Sequence, residues 1–466
     1  MLGRHARLMV GGVLGAVSWA ALASAQTLED SLALAYTSNP NLVSQRAQVR
    51  ALDENFVQAR SPALPSVSAT VQTSTSSNVR SGTDPDFGFA LNSSDSDSLS
   101  YSLSADQTLY RGGRTRAAMD QALANIYAAR AQLSSTEQSV LLDAVSAFMN
   151  VRRDEAILDI RANNVAVLER QLDASSDRFE VGEITRTDVS QAEARLAGAR
   201  SQLAAAQAAL TASRAGYERV VGQAPGTLAE PPPLPPLPED LQAAFDLALE
   251  NNPDVIAADF AEEAATAGVR NAKGAMLPTV SLSASASSSD SYNSGPFEFE
   301  GSPFESESTQ VGGRVSIPLY SAGVNSSSLR QARQNEARAR SDRRNVERLV
   351  RESVSTAWSG YLAAQSQMES TSEQARANEL AFEGVEAEAA VGLRTTLDVL
   401  NAEQELLNAR LAFEQAERDA YVAAYRVLQA IGAVNPAFLD VDVEIYDPAE
   451  NLSDVRGRYL GIGLLE

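Results

Sequence analysis

Val391-Gly392-Leu393-Arg394-Thr395-Thr396-Leu397-Asp398-Val399-Leu400-Asn401-Ala402-Glu403-Gln404-Glu405-Leu406-Leu407-Asn408-Ala409-Arg410 is the stretch that decides the fold. It has a twin. After Val181-Gly182-Glu183-Ile184-Thr185, the pattern Asp188-Val189, Ala192-Glu193, Leu196 and Ala199-Arg200 recurs as Asp398-Val399, Ala402-Glu403, Leu406 and Ala409-Arg410. Further out, Leu109-Tyr110 with Gly113 recurs as Leu319-Tyr320 with Gly323, and Leu64-Pro65-Ser66-Val67-Ser68 as Leu277-Pro278-Thr279-Val280-Ser281. Asn39-Pro40 recurs as Asn252-Pro253. The offset stays near 210 to 213 residues throughout, so the chain is written twice.

Each copy has the same layout. A helical segment (28 to 60, then 240 to 275) ends near a proline, and two short alternating segments follow, separated by a polar loop. A long proline-free stretch comes next, between Pro85 and Pro225 and again between Pro318 and Pro436, rich in helix-favouring Ala, Gln, Glu, Arg and Leu. Leu196, Leu203 and Leu210 recur every seven residues beside Ala192, Ala199 and Ala206, which is a coiled-coil seam lined with small residues. At ~1.5 Å per residue, a run of about 65 residues spans roughly 100 Å. The glycines of the two quoted stretches supply a C-cap, and the Thr or Asp just after caps the next helix. Each half is therefore predicted to end in an antiparallel helical hairpin.

The alternating segments lie near 64–74, 99–109, 278–288 and 309–319. In the first, Val67, Ala69 and Val71 alternate with Ser68, Thr70 and Gln72. Each has roughly the 9–11 residues of a tilted membrane-spanning strand, with one apolar face and one serine-rich face. The loops between them (74–98 and 287–309) carry Asp84, Asp86, Asp95, Asp97, Asp290, Glu298, Glu300, Glu305 and Glu307, read as soluble outside loops. Four strands cannot close a barrel, and lipid does not tolerate an open edge. Two copies would supply 8 strands and three would supply 12; strand arithmetic leaves both open.

Composition narrows the chemistry. The 466 residues carry 38 Lys+Arg against 60 Asp+Glu, a net charge of -22, with one His and no Cys. The histidine is His5, inside a segment that reads as a secretory signal: basic Arg4 and Arg7, an apolar run from Leu8 to Leu22, and Ala23-Ser24-Ala25 before the cut. Without imidazole or thiolate, the mature chain is expected to hold no zinc site, no metal or cofactor of that kind, and no Ser-His-Asp or Cys-His nucleophile. Its acidity disfavours nucleic acid. No later stretch reaches 18 apolar residues, so no transmembrane helix is expected. The division is a signal peptide (1–25), a first repeat (26–225), a stiff proline-rich linker (226–239), a second repeat (240–432) and a C-terminal tail (433–466), which the resemblance described below makes periplasmic. Arg111-Gly112-Gly113-Arg114 reads as a strand-to-helix turn rather than an RNA-binding box.

The double repeat, the paired strands, the helical hairpins and the Val-Gly turns resemble the TolC family of outer-membrane export ducts, from Leu28 to about Ala433. The resemblance implies a mainly α protomer with a membrane β-barrel. It implies a homotrimer in outer-membrane lipid, with a 12-stranded barrel continued by a periplasmic α-barrel. It also implies passive conduction for a periplasmic adaptor and an inner-membrane ABC or RND transporter, with no enzyme activity. Asp398 matches an aspartate ring at the periplasmic constriction, while the second ring position is Asn401. Arg394 matches an arginine that holds the closed state against a neighbouring hairpin, with Thr187 and Asp188 at its partners' positions and Ala389 where that lock has a tyrosine. Val181, Gly182, Val391, Gly392 and Leu393 match adaptor-contact turns. The stretch from Thr395 to Arg410 and the tail around Tyr446 to Tyr459 look closest to the type I protein-secretion branch. The other readings are a duct for multidrug efflux only, and a secreted trimeric coiled-coil surface protein.

Overall fold

The computed structural model describes residues 25–81, 91–294 and 304–458. The first repeat opens with α1 (Leu28–Ser38) and α2 (Pro40–Arg60), continues through β1 (Ser66–Ser81) and β2 (Leu91–Arg111), and ends in α3 (Arg114–Glu180) and α4 (Arg186–Val221). The second repeats the order: α5 (Leu241–Asn251), α6 (Pro253–Gly274), β3 (Thr279–Ser294), β4 (Phe304–Ser316), α7 (Val324–Ala390) and α8 (Thr396–Ala430). A last helix, α9 (Pro448–Gly457), lies in the tail. Among the described residues no helix is long and apolar enough to cross a membrane.

The helical segments expected over 28–60 and 240–275 are each broken in two. Pro40 and Pro253 lack an N–H and fit only a first helical turn. The asparagine before each is extended, and its side-chain oxygen accepts the N–H of Asn41 or Asp254 at 2.9 Å. The other end of each side chain donates to a distant helix, Asn39 to the Val220 carbonyl and Asn252 to the Ala430 carbonyl, both at 3.0 Å. Each Asn-Pro thus caps one helix and pins the foot of a hairpin.

Helices α3 and α7 have 67 residues each, about 100 Å at ~1.5 Å per residue. Ala192, Leu196, Ala199, Ala206 and Leu210 on α4 are buried, as the heptad pattern requires. The ion pairs Arg200–Glu169 and Arg410–Glu379, both 2.7 Å, occupy matching positions in the two hairpins. Both are exposed and contribute at most about 1 kcal/mol each. The main core lies at the foot, where Leu28, Leu32, Tyr36, Phe148, Tyr217 and Leu428 pack together. The tail closes over it. Buried Asp53 accepts from Asn451 at 2.7 Å and faces Arg130 at 3.5 Å, and the Arg46 guanidinium lies over the rings of Tyr36 and Tyr446.

The four strands form one antiparallel sheet in the order β1-β2-β3-β4. Register places Val67, Ala105, Ala284 and Val311 in one row and Ala69, Leu103, Ala286 and Thr309 in the next on the same face. The opposite face is serine-rich, with Ser68–Ser104 and Ser74–Ser98 hydroxyl bonds of 2.7 Å. The strands run to 16, 21, 16 and 13 residues, longer than the expected 9–11. Polar Ser, Thr and Asp segments extend the ladder beyond the apolar rows, because backbone pairing does not depend on side-chain polarity. Asp95, Asp97, Asp290, Glu305 and Glu307, expected in loops, therefore sit on strands, with Asp290 directly opposite Glu305. β4 ends at Ser316, short of the expected 319, since Pro318 has no N–H for the ladder. The signal segment 1–24, Asp84, Asp86, Glu298, Glu300 and Tyr459 lie outside the described residues.

Candidate functional site at the hairpin tips

The tips lie at the ends of the long helices farthest from the sheet. In the first, α3 stops at Glu180, and Gly182 turns the chain with a φ of 82°, a left-handed angle that favours glycine. The amide of Glu183 then donates to the Arg178 carbonyl at 2.9 Å. In the second, Gly392 turns with a φ of 80°, and the Leu393 amide donates to the Glu388 carbonyl at 2.9 Å. Val181, Val391 and Leu393 are 72, 71 and 76% exposed, unusual for apolar side chains at a rigid turn.

Thr185 and Thr395 restart the helices with matching capping boxes. The Thr185 amide and hydroxyl donate to Asp188 at 2.9 and 2.7 Å. The Thr395 amide and hydroxyl donate to Asp398 at 3.0 and 2.8 Å. These bonds hold both carboxyls below the usual carboxylate range. Asp188 and Asp398 are thus helix-capping groups in the protomer and remain charged in mild acid. Arg394 meets Glu388 of its own hairpin at 2.7 Å, with both side chains about half exposed. Within the protomer its carboxylate partner is Glu388, while Asp188 is engaged by Thr185. Thr187 lies in the first turn of α4, beside Asp188.

Between the hairpins the structure brings Asn401 together with residues that the sequence does not single out as site residues. Leu400 of α8 is 2% exposed and packs with Val165 and Leu168 of α3 and Leu196 and Ala199 of α4. Arg195 of α4 reaches over it and donates to the Leu400 carbonyl at 3.3 Å and to Asn401 Oδ1 at 2.8 Å. Glu403 lies one turn further along α8. Burial pushes its carboxyl up to about 7; Arg195 and Arg170 oppose that rise and Glu386 adds to it. Nearer the turn a cavity of about 170 Å³ separates the hairpins, lined by Gln171, Arg178, Glu386, Ala389 and Arg394 among others. A signal for Arg195 did exist: a long cationic side chain directly flanking a seam leucine. Its partner lies 206 residues away, beyond any local pattern.

A four-stranded sheet with one apolar face and two open edges, joined to helices of this length, defines an outer-membrane duct. The model of the outer membrane efflux protein family matches residues 31–223 and 244–433, one match in each repeat. The chain belongs to that family. It is 34% identical to the outer membrane efflux protein BepC of Brucella suis over 96% of this chain and 94% of that one. It is 28% identical to the alkaline protease secretion protein AprF of Pseudomonas aeruginosa over 74% of this chain and 72% of that one. The solved outer-membrane channel OprN shares its fold with a TM-score of 0.70, at 23% identity over 87% of this chain and 90% of that one. The protein is an outer-membrane exit duct whose helical part extends into the periplasm.

Proposed function

We propose that three copies close edge to edge, β4 of one against β1 of the next, into a 12-stranded barrel. The six hairpins then form a periplasmic tube through which cargo passes passively. The observation that carries this is the sheet itself: β1 and β4 each have one unpaired edge, and the apolar face leaves Val67, Val71 and Val311 between 66 and 72% exposed. In lipid such edges must be paired. The tube receives cargo from an inner-membrane ABC or RND transporter through a periplasmic adaptor. The exposed turns at Val181, Gly182, Val391, Gly392 and Leu393 are its docking points, since they offer apolar side chains and free backbone at a fixed geometry.

Three copies of Asp398 at the tip form a negative ring that favours cations. Asn401 in place of a second carboxylate leaves a single charged ring. Replacing Asp398 with Asn keeps an oxygen for the Thr395 amide but removes the charge. Cation preference, measured as reversal potential in planar bilayers, is expected to fall roughly threefold or more; an unchanged potential would remove Asp398 from the constriction. Because its carboxyl is held below the usual range, wild-type preference is expected to stay flat between about pH 5 and 8. Arg394 is assigned to the closed state, joining Glu388 to Thr187 and Asp188 of the neighbouring hairpin. Arg394→Ser is expected to raise basal conductance only about two- to threefold, since the pairs it loses are exposed and screened by solvent. Equal conductance would end that assignment without touching the fold.

Cargo is assigned to the type I secretion class, in keeping with the tail and the likeness to AprF. Drug efflux is the second reading, favoured by the greater identity to BepC. A deletion strain separates them. Loss of a few secreted proteins from the culture supernatant with unchanged detergent and antibiotic sensitivity supports secretion. Raised sensitivity with an intact secretome supports efflux alone.

A further inference from the structure

Chain ends are loose unless something ties them down. Gln26, the residue that follows Ala23-Ser24-Ala25, is tied down by both its backbone and its side chain. Its amide donates to the Thr227 carbonyl at 2.8 Å, and its own carbonyl accepts from the Ala229 amide at 2.9 Å, a parallel bridge to the segment around Leu228. Its side-chain Oε1 accepts from the Gly226 amide at 3.4 Å, while Nε2 is buried with no hydrogen-bond partner. Thr27 then caps α1, and Leu28 enters the main core. We propose that Gln26 is a modification site: once the signal is removed, its α-nitrogen closes on its own side-chain carbonyl carbon to give pyroglutamate, with Gly226 and Thr227 positioning the two ends.

The ring requires cleavage after Ala25, which is the reading given to residues 1–25. The groups that join already face the same two residues, the nitrogen toward Thr227 and the side-chain oxygen toward Gly226. The polar atoms with no task here are those the reaction removes. A free amine would be an ammonium with two further N–H groups to satisfy in a half-buried place, and burying a charge costs free energy. Nε2 carries donors that meet no acceptor, which also costs free energy. Ring closure discards both. The nitrogen keeps one N–H for Thr227, and Oε1 becomes the lactam carbonyl for Gly226.

The step balances without a co-reactant. The lone pair of the neutral α-amine attacks Cδ and forms the N–Cδ bond of the lactam. The Cδ–Nε2 bond then breaks, and a proton from the α-nitrogen leaves with Nε2 as ammonia. Nothing is oxidised or reduced. An ordinary α-amino group titrates at about 8, so a usable share is neutral at the pH of growth. The Gly226 N–H meets the oxygen on which negative charge gathers during the attack, and the Thr227 carbonyl holds the attacking nitrogen. The product has no charge and no free amine, so the chain end keeps its bridge and resists aminopeptidases.

The test uses the full chain purified from outer membranes, with free amines labelled before digestion so that ring closure during work-up is not counted. Trypsin then releases the peptide 26–46, which has no Lys or Arg before its last residue. Wild type is expected to give this peptide unlabelled and lighter by one ammonia. Gln26→Ala has nothing to close and should give it labelled, so the labelled fraction is expected to be roughly tenfold lower in wild type. A synthetic 26–46 peptide in the same buffer should close roughly tenfold more slowly than the pulse-labelled, newly exported protein, because it lacks the Gly226 and Thr227 contacts. Equal rates overturn the positioning by Gly226 and Thr227. A wild-type peptide that starts at Gln26 and carries the label overturns the ring and leaves the cleavage reading standing. A chain end at any other residue overturns both.

Discussion

Replacing Gly112 with alanine is expected to abolish accumulation of the folded channel. Gly112 turns the chain between β2 and α3 with a φ of 61°, and a Cβ there would lie 2.3 Å from the Gly274 carbonyl oxygen and 2.7 Å from Leu277 Cβ. Gly274 answers in kind: its own Cβ would meet the Gly112 oxygen at 2.6 Å. Two backbones touch where the sheet hands over to the helices, and neither can retreat as a flexible side chain could. Steric overlap and left-handed strain together cost about 3 kcal/mol or more. Next door, Gly113 has a φ of 77° but nothing within 4 Å of its Cβ position. Gly113→Ala should cost only the strain, about 1 kcal/mol. The yield of detergent-extracted trimer and its thermal unfolding midpoint distinguish the two. Equal yields for both variants would show that the close approach is not limiting.

Leu400→Ala is expected to give the largest leak of any conservative change at the tip. Its side chain fills the groove made by Val165, Leu168, Leu196 and Ala199, and truncating a leucine this buried costs about 2–5 kcal/mol. That loss falls on the contact between hairpins and not on the main core, which lies part-way along α3 and α7, around Phe148 and Val354. The trimer should therefore still assemble, while basal conductance rises roughly tenfold or more as the closed tip loses its apolar contact. Leu406→Ala in the same helix is the comparison, since Leu406 is buried at 7% exposure but is not among the residues packed around Leu400. A leak no larger than that of Leu406→Ala would sink the idea that Leu400 holds the hairpins together.

Much of the molecule was legible in the residues alone. The duplication is written in matched motifs. Helix length follows from proline-free runs, and the turns follow from Val-Gly and the Thr-x-x-Asp that restarts each helix. These are local rules, in which a residue acts on neighbours within a turn or a strand pair. The strand alternation was read in the same way and located all four strands. It misjudged their ends because the alternation records where one face is apolar, whereas the ladder continues for as long as backbones can pair. The Asn-Pro pairs were visible as repeats, but their second task was not. Asn39 reaching Val220 and Asn252 reaching Ala430 depend on where the hairpins come to rest.

The tip shows the same division more sharply. The capping roles of Asp188 and Asp398 follow from their position three residues after a threonine. By contrast, Asn401 was legible only as a ring position, and its partner Arg195 is an ordinary polar residue on a helix of mixed charge. Leu400 is one apolar residue among many on α8, and Glu403 is one of many acids on these helices. They become a hydrogen-bonded pair, an apolar knob and a half-buried acid only because two hairpins from different repeats lie side by side. That packing sets the distance between Arg195 and its acceptors, removes water from Leu400 and half removes it from Glu403. The sequence by itself determined the elements and their turns, because those depend on contacts a few residues apart. Only the tertiary structure decided which element meets which, because that depends on burial and on distances between residues some two hundred positions apart.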